Sequence, residues 1–184
     1  MTRRMNMKAK DIKIAKDKAL EMYEKAHIVL TDEEKENIEI ADFGLNDFYV
    51  SGLSIVTYVN TETTCAKEMV LHPYQTCPEH VHAPIDDKNY KGKEETFRVR
   101  YGRVYLYVEG EPVVKVSARI PDEHYTVFNE IVLNPGDQYT LYPNTWHWFQ
   151  ADKDGAVISE FSTTSYDECD HFRNPNIQRV PTLE

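Results

Sequence analysis

Thr76-Cys77-Pro78-Glu79-His80-Val81-His82 is the stretch on which the fold turns. Residues i and i+2 of a strand point to one face, so His80 and His82 converge if this strand lines the inside of a barrel. Outward from it, Glu95 opens a long strand pattern that runs to Val108, and His147 lies between Trp146 and Trp148 on a third. Three imidazoles and one carboxylate make a complete nitrogen and oxygen donor set for a divalent metal. Glu94 competes for the carboxylate role, but neighbouring strand residues face opposite sides. Glu95 stands six intervening residues before Gly102 and shares its face with Phe97 and Val99, so Glu95 is the candidate.

Short β-rich runs fill the chain from Phe48 onward: Leu53 to Val59, Glu68 to His72, Thr76 to His82, Glu95 to Val108, Val113 to Ile120, Glu130 to Leu133, Gln138 to Tyr142, Trp146 to Ala151 and Val157 to Thr163. Turn signals such as Asn134-Pro135-Gly136-Asp137 and Asp152-Lys153-Asp154-Gly155 separate many of them. Many short strands at close spacing predict an all-β sandwich or barrel. Ahead of them, residues 8 to 27 predict an amphipathic helix, with Ile12, Ala15, Ala19, Met22 and Ala26 at three- and four-residue steps. Thr31-Asp32-Glu33-Glu34 has the form of a capping box opening a short second helix. Both helices are expected to pack outside the sheet. The reading is one domain over residues 1–184, a helical extension to residue 40 and a barrel beyond, its polar tail from Asp167 packing without strands.

The 184 residues carry a formal net charge of −10, and no basic stretch stands out enough to offset that field. That argues against nucleic acid and anionic membranes as partners. No segment has the ~18 apolar residues of a membrane span. Three cysteines, Cys65, Cys77 and Cys169, form no close pair and read as reduced thiols of a cytoplasmic protein. The basic stretch Met1 to Lys10 has no apolar run behind it, so no secretory signal is expected.

With no thiolate among the donors, Mn²⁺, Fe²⁺, Co²⁺ and Ni²⁺ all suit the site, and Zn²⁺ stays open. Four protein ligands leave an octahedral ion two positions, for two adjacent oxygens of one substrate or for dioxygen plus substrate. The first suits aldose–ketose isomerisation, the metal acting as a Lewis acid. Lys93, two residues from Glu95 on its side of the strand, can stabilise developing negative charge or move a proton. Glu160, in an otherwise apolar and hydroxyl-bearing strand, reads as a base, a hydroxyl acceptor or an orienter of a ligand histidine. Arg98, Arg100 and Arg103 alternate on one strand, and a solvated outer face is the favoured reading for them. His27 reads as a helix end, and His72 and His124 as surface or supporting residues.

The order His-x-His, Glu95, Gly102, then Pro135-Gly136, Pro143 and His147 resembles the two-motif signature of the cupin superfamily, whose fold is a double-stranded β-helix, or jelly-roll barrel. Further stretches sharpen the likeness: Ala41 to Phe48 followed by Ser51-Gly52-Leu53, the Lys93-x-Glu95 pair, Asn134-Pro135-Gly136 ahead of Trp146-His147, Ser159-Glu160-Phe161-Ser162, and Asp170-His171-Phe172. From about residue 41 to the C-terminus the chain resembles the D-lyxose isomerase family of cupin sugar isomerases. The resemblance implies a Mn²⁺-type ion held by His80, His82, Glu95 and His147. It implies a catalytic-site Lys93, with Glu160, Asp170 and Arg173 lining a sugar pocket. It also implies a homodimer that interconverts D-lyxose with D-xylulose, and D-mannose with D-fructose. The segment Ala83 to Gly92 is longer than in part of that family. The alternatives are a cupin phosphosugar isomerase, which needs a cationic phosphate site, an oxygen-using cupin, and a non-catalytic metal-stabilised binding module.

Overall fold

The computed structural model describes residues 7–179. The start of the basic N-terminal stretch and residues 180–184 of the tail lie outside the described residues. Helix α1 (Ala9–Lys25) is followed by the short α2 (Asp32–Glu36). Nine strands come next: β1 (Glu39–Ala41), β2 (Leu53–Asn60), β3 (Cys65–Leu71), β4 (Thr76–Val81), β5 (Glu95–Val108), β6 (Asn129–Leu133), β7 (Gln138–Leu141), β8 (His147–Ser162) and β9 (His171–Phe172).

Two long strands form the spine. β5 and β8 pair antiparallel from Glu95 opposite Ser162 to Val108 opposite His147. The free edge of β8 takes β4 along its first half and β3 along its second. The free edge of β5 takes β7 at its start and β6 at its end. Each half of the spine thus carries its own set of strands. One apolar core joins the halves: Leu53, Ile55, Met69, Phe97 and Ile158 from one pack with Cys77, Leu106, Val108 and Phe149 from the other. The curled sheet closes over this core as the expected all-β barrel.

The spine bends where its register shifts, between Val99 and Val104. Gly102 and Gly155 both adopt φ +74 there, and a Cβ on Gly102 would stand 1.9 Å from the Gly155 carbonyl oxygen. Only glycine combines that φ with that approach. This corrects two expectations at once. Asp152 to Gly155 is a corner inside one strand rather than a hairpin turn, so the two expected runs around it are a single β8.

Val113 to Ile120 forms no strand. Three of its N–H groups are taken by side chains instead: Ser117 N–H donates to Glu130 at 2.8 Å, Ala118 to the Tyr107 hydroxyl at 2.9 Å and Arg119 to Gln150 at 2.8 Å. β1 and β9 were not expected. β9 pairs Phe172 with His80, so the tail does contribute a strand, and it does so beside the His80-x-His82 pair.

α1 covers the outer face of β2, β3 and β8. Ala19, Met22 and Tyr23 bury against Val56, Val70 and Val157, and the Tyr23 hydroxyl donates to the Glu68 carbonyl at 2.8 Å. Helix α2 has its capping box, Thr31 N–H to Glu34 at 2.7 Å and Glu34 N–H to Thr31 at 3.2 Å, but buries none of its residues. Of the two helices, only α1 covers the sheet with buried residues.

Candidate metal centre

β4 presents His80 inward, and His82, one residue past the end of that strand, faces the same way. β8 opposite supplies His147, which pairs with His80 across the ladder. The ligand atoms of these three histidines lie within 4.8 Å of one another. Each imidazole has its Nδ1 held by an oxygen: His80 on the Pro78 carbonyl at 2.8 Å, His147 on the Thr145 carbonyl at 2.9 Å, and His82 on the Asp170 carboxylate at 2.5 Å. These oxygens only accept, so each Nδ1 carries a proton. Burial and the Lys93 ammonium oppose a second proton on His82, but Glu95 and Asp170 outweigh them and raise its pKa to about 9, so an ion bound there would displace that proton from Nε2. An oxygen on Nδ1 fixes the orientation of the ring and raises its basicity, as a histidine that is to hold a metal requires. Burial, then the neighbouring His147 and His82, hold His80 well below the usual histidine range, so it stays neutral.

Glu95 completes the group. Its Oε1 stands 3.2 Å from His82 Nε2 and 3.1 Å from His147 Nε2. His147 is 1% exposed, and its Nε2 has no hydrogen-bond partner despite that short distance. Such a buried atom is costly unless something occupies the space it faces. A divalent cation among these donors would satisfy it, so the residues present fit the ion. Glu94, the rival carboxylate, is exposed.

Lys93 and Glu160 are buried beside this group. Lys93 Nζ lies 2.7 Å from Glu95 Oε2 and 3.0 Å from Glu160 Oε1. Burial opposes the Lys93 charge, but Glu160 and then Glu95 outweigh it and raise the ammonium well above its ordinary pKa. Burial likewise opposes the Glu95 charge, and Lys93 and His82 outweigh it, holding that carboxyl well below its ordinary range. Ser162 donates to Glu160 Oε1 at 3.0 Å.

A cavity opens onto these groups. Phe97, Phe149 and Phe172 supply part of its apolar lining, and Lys93, Glu160 and Asp170 all face it. Arg173 is not among its lining residues. Its guanidinium lies 3.6 Å from the Trp146 ring centroid and pairs with buried Glu79 at 3.1 Å. The tail arginine that does line the cavity is Arg179, and Lys67 and Asp167 line it too. None of these three stood out in the sequence. Arg98, Arg100 and Arg103 are on the outer face, where Arg98 meets Gln138 and Arg103 meets Asn134. His72, expected at the surface or in support, is buried against Phe48 and Tyr49 away from the centre. His124 is partly exposed beside Asp122, and His27 follows the end of α1 at φ 57.

A family model described as D-lyxose isomerase matches residues 16–184. A D-lyxose/D-mannose isomerase of Thermosediminibacter oceani is 54% identical over 97% of this chain and 99% of its own. A D-lyxose ketol-isomerase of Thermofilum is 56% identical over 94% and 96%, and one of Cohnella laeviribosi is 52% identical over 97% and 98%. Among solved structures, the L-ribose isomerase of Acinetobacter sp. DL28 superposes with a TM-score of 0.74 at 14% identity, over 95% of each chain. That of Cellulomonas parahominis gives 0.72 at 16% over the same shares. These structures share the cupin-type barrel.

Proposed function

The chain belongs to the D-lyxose isomerase family and is an aldose–ketose isomerase, and from that premise we propose that it interconverts unphosphorylated D-lyxose and D-xylulose, and also D-mannose and D-fructose. The observation that carries this reading is the convergence of three imidazole Nε2 atoms and the Glu95 carboxylate beside an ion-paired Lys93 and Glu160. His80, His82, Glu95 and His147 would hold the ion, for which we propose Mn²⁺, with Co²⁺, Ni²⁺, Fe²⁺ and Zn²⁺ as the alternatives to test. When bound, the ion supplies Lewis acidity toward a carbonyl and its neighbouring hydroxyl.

The remaining chemistry belongs to the chain's own side chains. Glu160 holds Lys93 and Ser162 through Oε1, which leaves Oε2 as an acceptor for a proton leaving the sugar's C2 and returning at C1. Lys93 donates to Glu95 and Glu160 and keeps a third N–H for a substrate oxygen as charge develops there. Asp170 orients His82, and the phenylalanine lining excludes water from the reacting carbons. Deuterium at C2 separates this route from a hydride shift, because exchange with solvent requires the proton to reach a base. The phosphosugar reading loses its candidate cations, since Arg98, Arg100 and Arg103 are on the outer face.

The test is metal analysis of the purified protein, then turnover of lyxose, mannose and mannose 6-phosphate after chelation and add-back of each ion. A protein that holds no divalent ion, or that prefers the phosphate ester, refutes the reading. We further propose one domain over residues 1–184, a homodimer, and a reducing, cytoplasmic setting. The dimer rests on the family resemblance and is checked by sedimentation. The setting rests on Cys65, Cys77 and Cys169 all being free thiols.

A further inference from the structure

Lys67 is the cross-strand partner of Glu160 on the inner face of the sheet, and it is 5% exposed. A buried ammonium needs partners, and the C-terminal tail brings them. Lys67 Nζ donates to Asp167 Oδ1 at 2.9 Å, to Asp167 Oδ2 at 2.8 Å and to Ser165 Oγ at 3.0 Å, so its three N–H groups are all engaged. Asp167 Oδ2 also takes Arg179 Nη2 at 3.0 Å, while Arg179 Nη1 goes to Glu39. Lys67, Asp167 and Arg179 line the same cavity as Lys93, Glu160 and the ligand histidines. A lysine and an arginine in one wall would normally make a strong phosphate site. Here a single carboxylate engages both. A phosphate dianion entering this wall would find no free donor on Lys67 and would face the Asp167 charge. A neutral polyol meets no such repulsion and can still exchange hydrogen bonds along the wall.

We propose that Asp167 is a specificity-determining residue, which by engaging Lys67 and Arg179 together keeps this wall from acting as a phosphate site and restricts the enzyme to unphosphorylated sugars. Discrimination then arises from a built-in repulsion against the wrong ligand as well as from contacts to the right one. The inference rests on the isomerase reading above and names what enforces its preference for free sugars. It also places the deciding residue on the tail after β8, away from the ligand motifs.

The test uses metal-loaded protein and two readouts, calorimetry with inorganic phosphate and inhibition of lyxose turnover by mannose 6-phosphate. Wild type binds phosphate weakly and is little inhibited. Asp167→Asn, close in shape but uncharged, binds phosphate and the ester at least about tenfold more tightly, the fold-change of one charge-assisted hydrogen bond. Asp167→Glu keeps the charge and stays weak. Lys67→Met added to Asp167→Asn removes the gain, which separates the freed cation from phosphate that binds the metal. Asp167→Ser is the second neutral variant should the asparagine one not fold. Neutral variants that gain no phosphate affinity overturn the proposal. So does a wild type that binds phosphate as tightly as they do, or that turns over mannose 6-phosphate as fast as mannose. Absence of any lyxose or mannose turnover in wild type refutes the isomerase reading instead, and the calorimetry still decides the role of Asp167.

Discussion

His72 gives a stability prediction that does not involve the metal. The residue is 4% exposed and set between Phe48 and Tyr49, with ring centroids 5.7 and 5.2 Å away, and its Nε2 has no hydrogen-bond partner. Burial first, and the Lys18 ammonium second, lower its pKa from 6.5 to about 4. A base whose folded pKa is depressed takes up its proton in the unfolded chain before the folded one. Stability from the neutral form is therefore present above pH 6.5 and is lost as pH falls toward 4. At about 1.36 kcal/mol per unit, the loss is about 2 kcal/mol at pH 5 and about 3 kcal/mol at pH 4. His72→Leu keeps an apolar side chain there and cannot titrate. The assay is thermal melting of both proteins from pH 7 to pH 4. For a chain of this size, 3 kcal/mol corresponds to about 6–12 °C. Wild type should lose that much more than the variant across the window, because other titrating groups are common to both. A difference between the two melting points that stays flat from pH 7 to pH 4 would refute the burial argument.

Asp170→Asn should weaken metal binding about 10–100-fold, or about 1.4–2.7 kcal/mol, because the carboxylate that orients His82 is lost. Competition against a chelating dye measures this, and an unchanged Kd counts against the assigned role. Glu160→Gln should lower kcat by about 10²–10⁴ while metal content per chain stays constant. A variant that keeps most of its kcat moves the proton transfer to another group. Gly102→Ala should destabilise the fold by at least about 2 kcal/mol, since its Cβ would meet the Gly155 carbonyl at φ +74. Chemical denaturation reads that loss directly.

The fold was legible where period and punctuation agreed. β5 was read residue for residue, because Glu95, Phe97 and Val99 alternate with exposed or half-exposed neighbours. Elsewhere the two signals conflicted. Asp152-Lys153-Asp154-Gly155 has the composition of a hairpin turn, yet its glycine serves a corner that only the approach of Gly102 explains. Val113 to Ile120 has the β-rich composition of a strand, yet Glu130, Tyr107 and Gln150 claim N–H groups that a ladder would need. Composition reports what a segment could do. Which partner takes its backbone groups is a tertiary fact.

The same division separates the legible and illegible parts of the site. The convergence of His80, His82, Glu95 and His147 could be read because strand alternation and residue type act together, and the place of Lys93 because it shares Glu95's face. Lys67 could not. In β3 both faces are buried, the inner one by the core and the outer one by α1, so apolar residues do not alternate there to mark which side it takes. A buried lysine becomes intelligible only with its counter-ion, and Asp167 lies 100 residues away on a tail read as merely packing along the barrel. That tail supplies Asp167 and Arg179 to one wall of the cavity and Asp170 to His82. Ligands that must converge on an ion repeat at strand spacing and leave a local trace. Residues that bias a cavity toward one substrate need only meet in space. Specificity in this barrel is therefore expected to change by substitutions in the tail that leave both histidine motifs untouched.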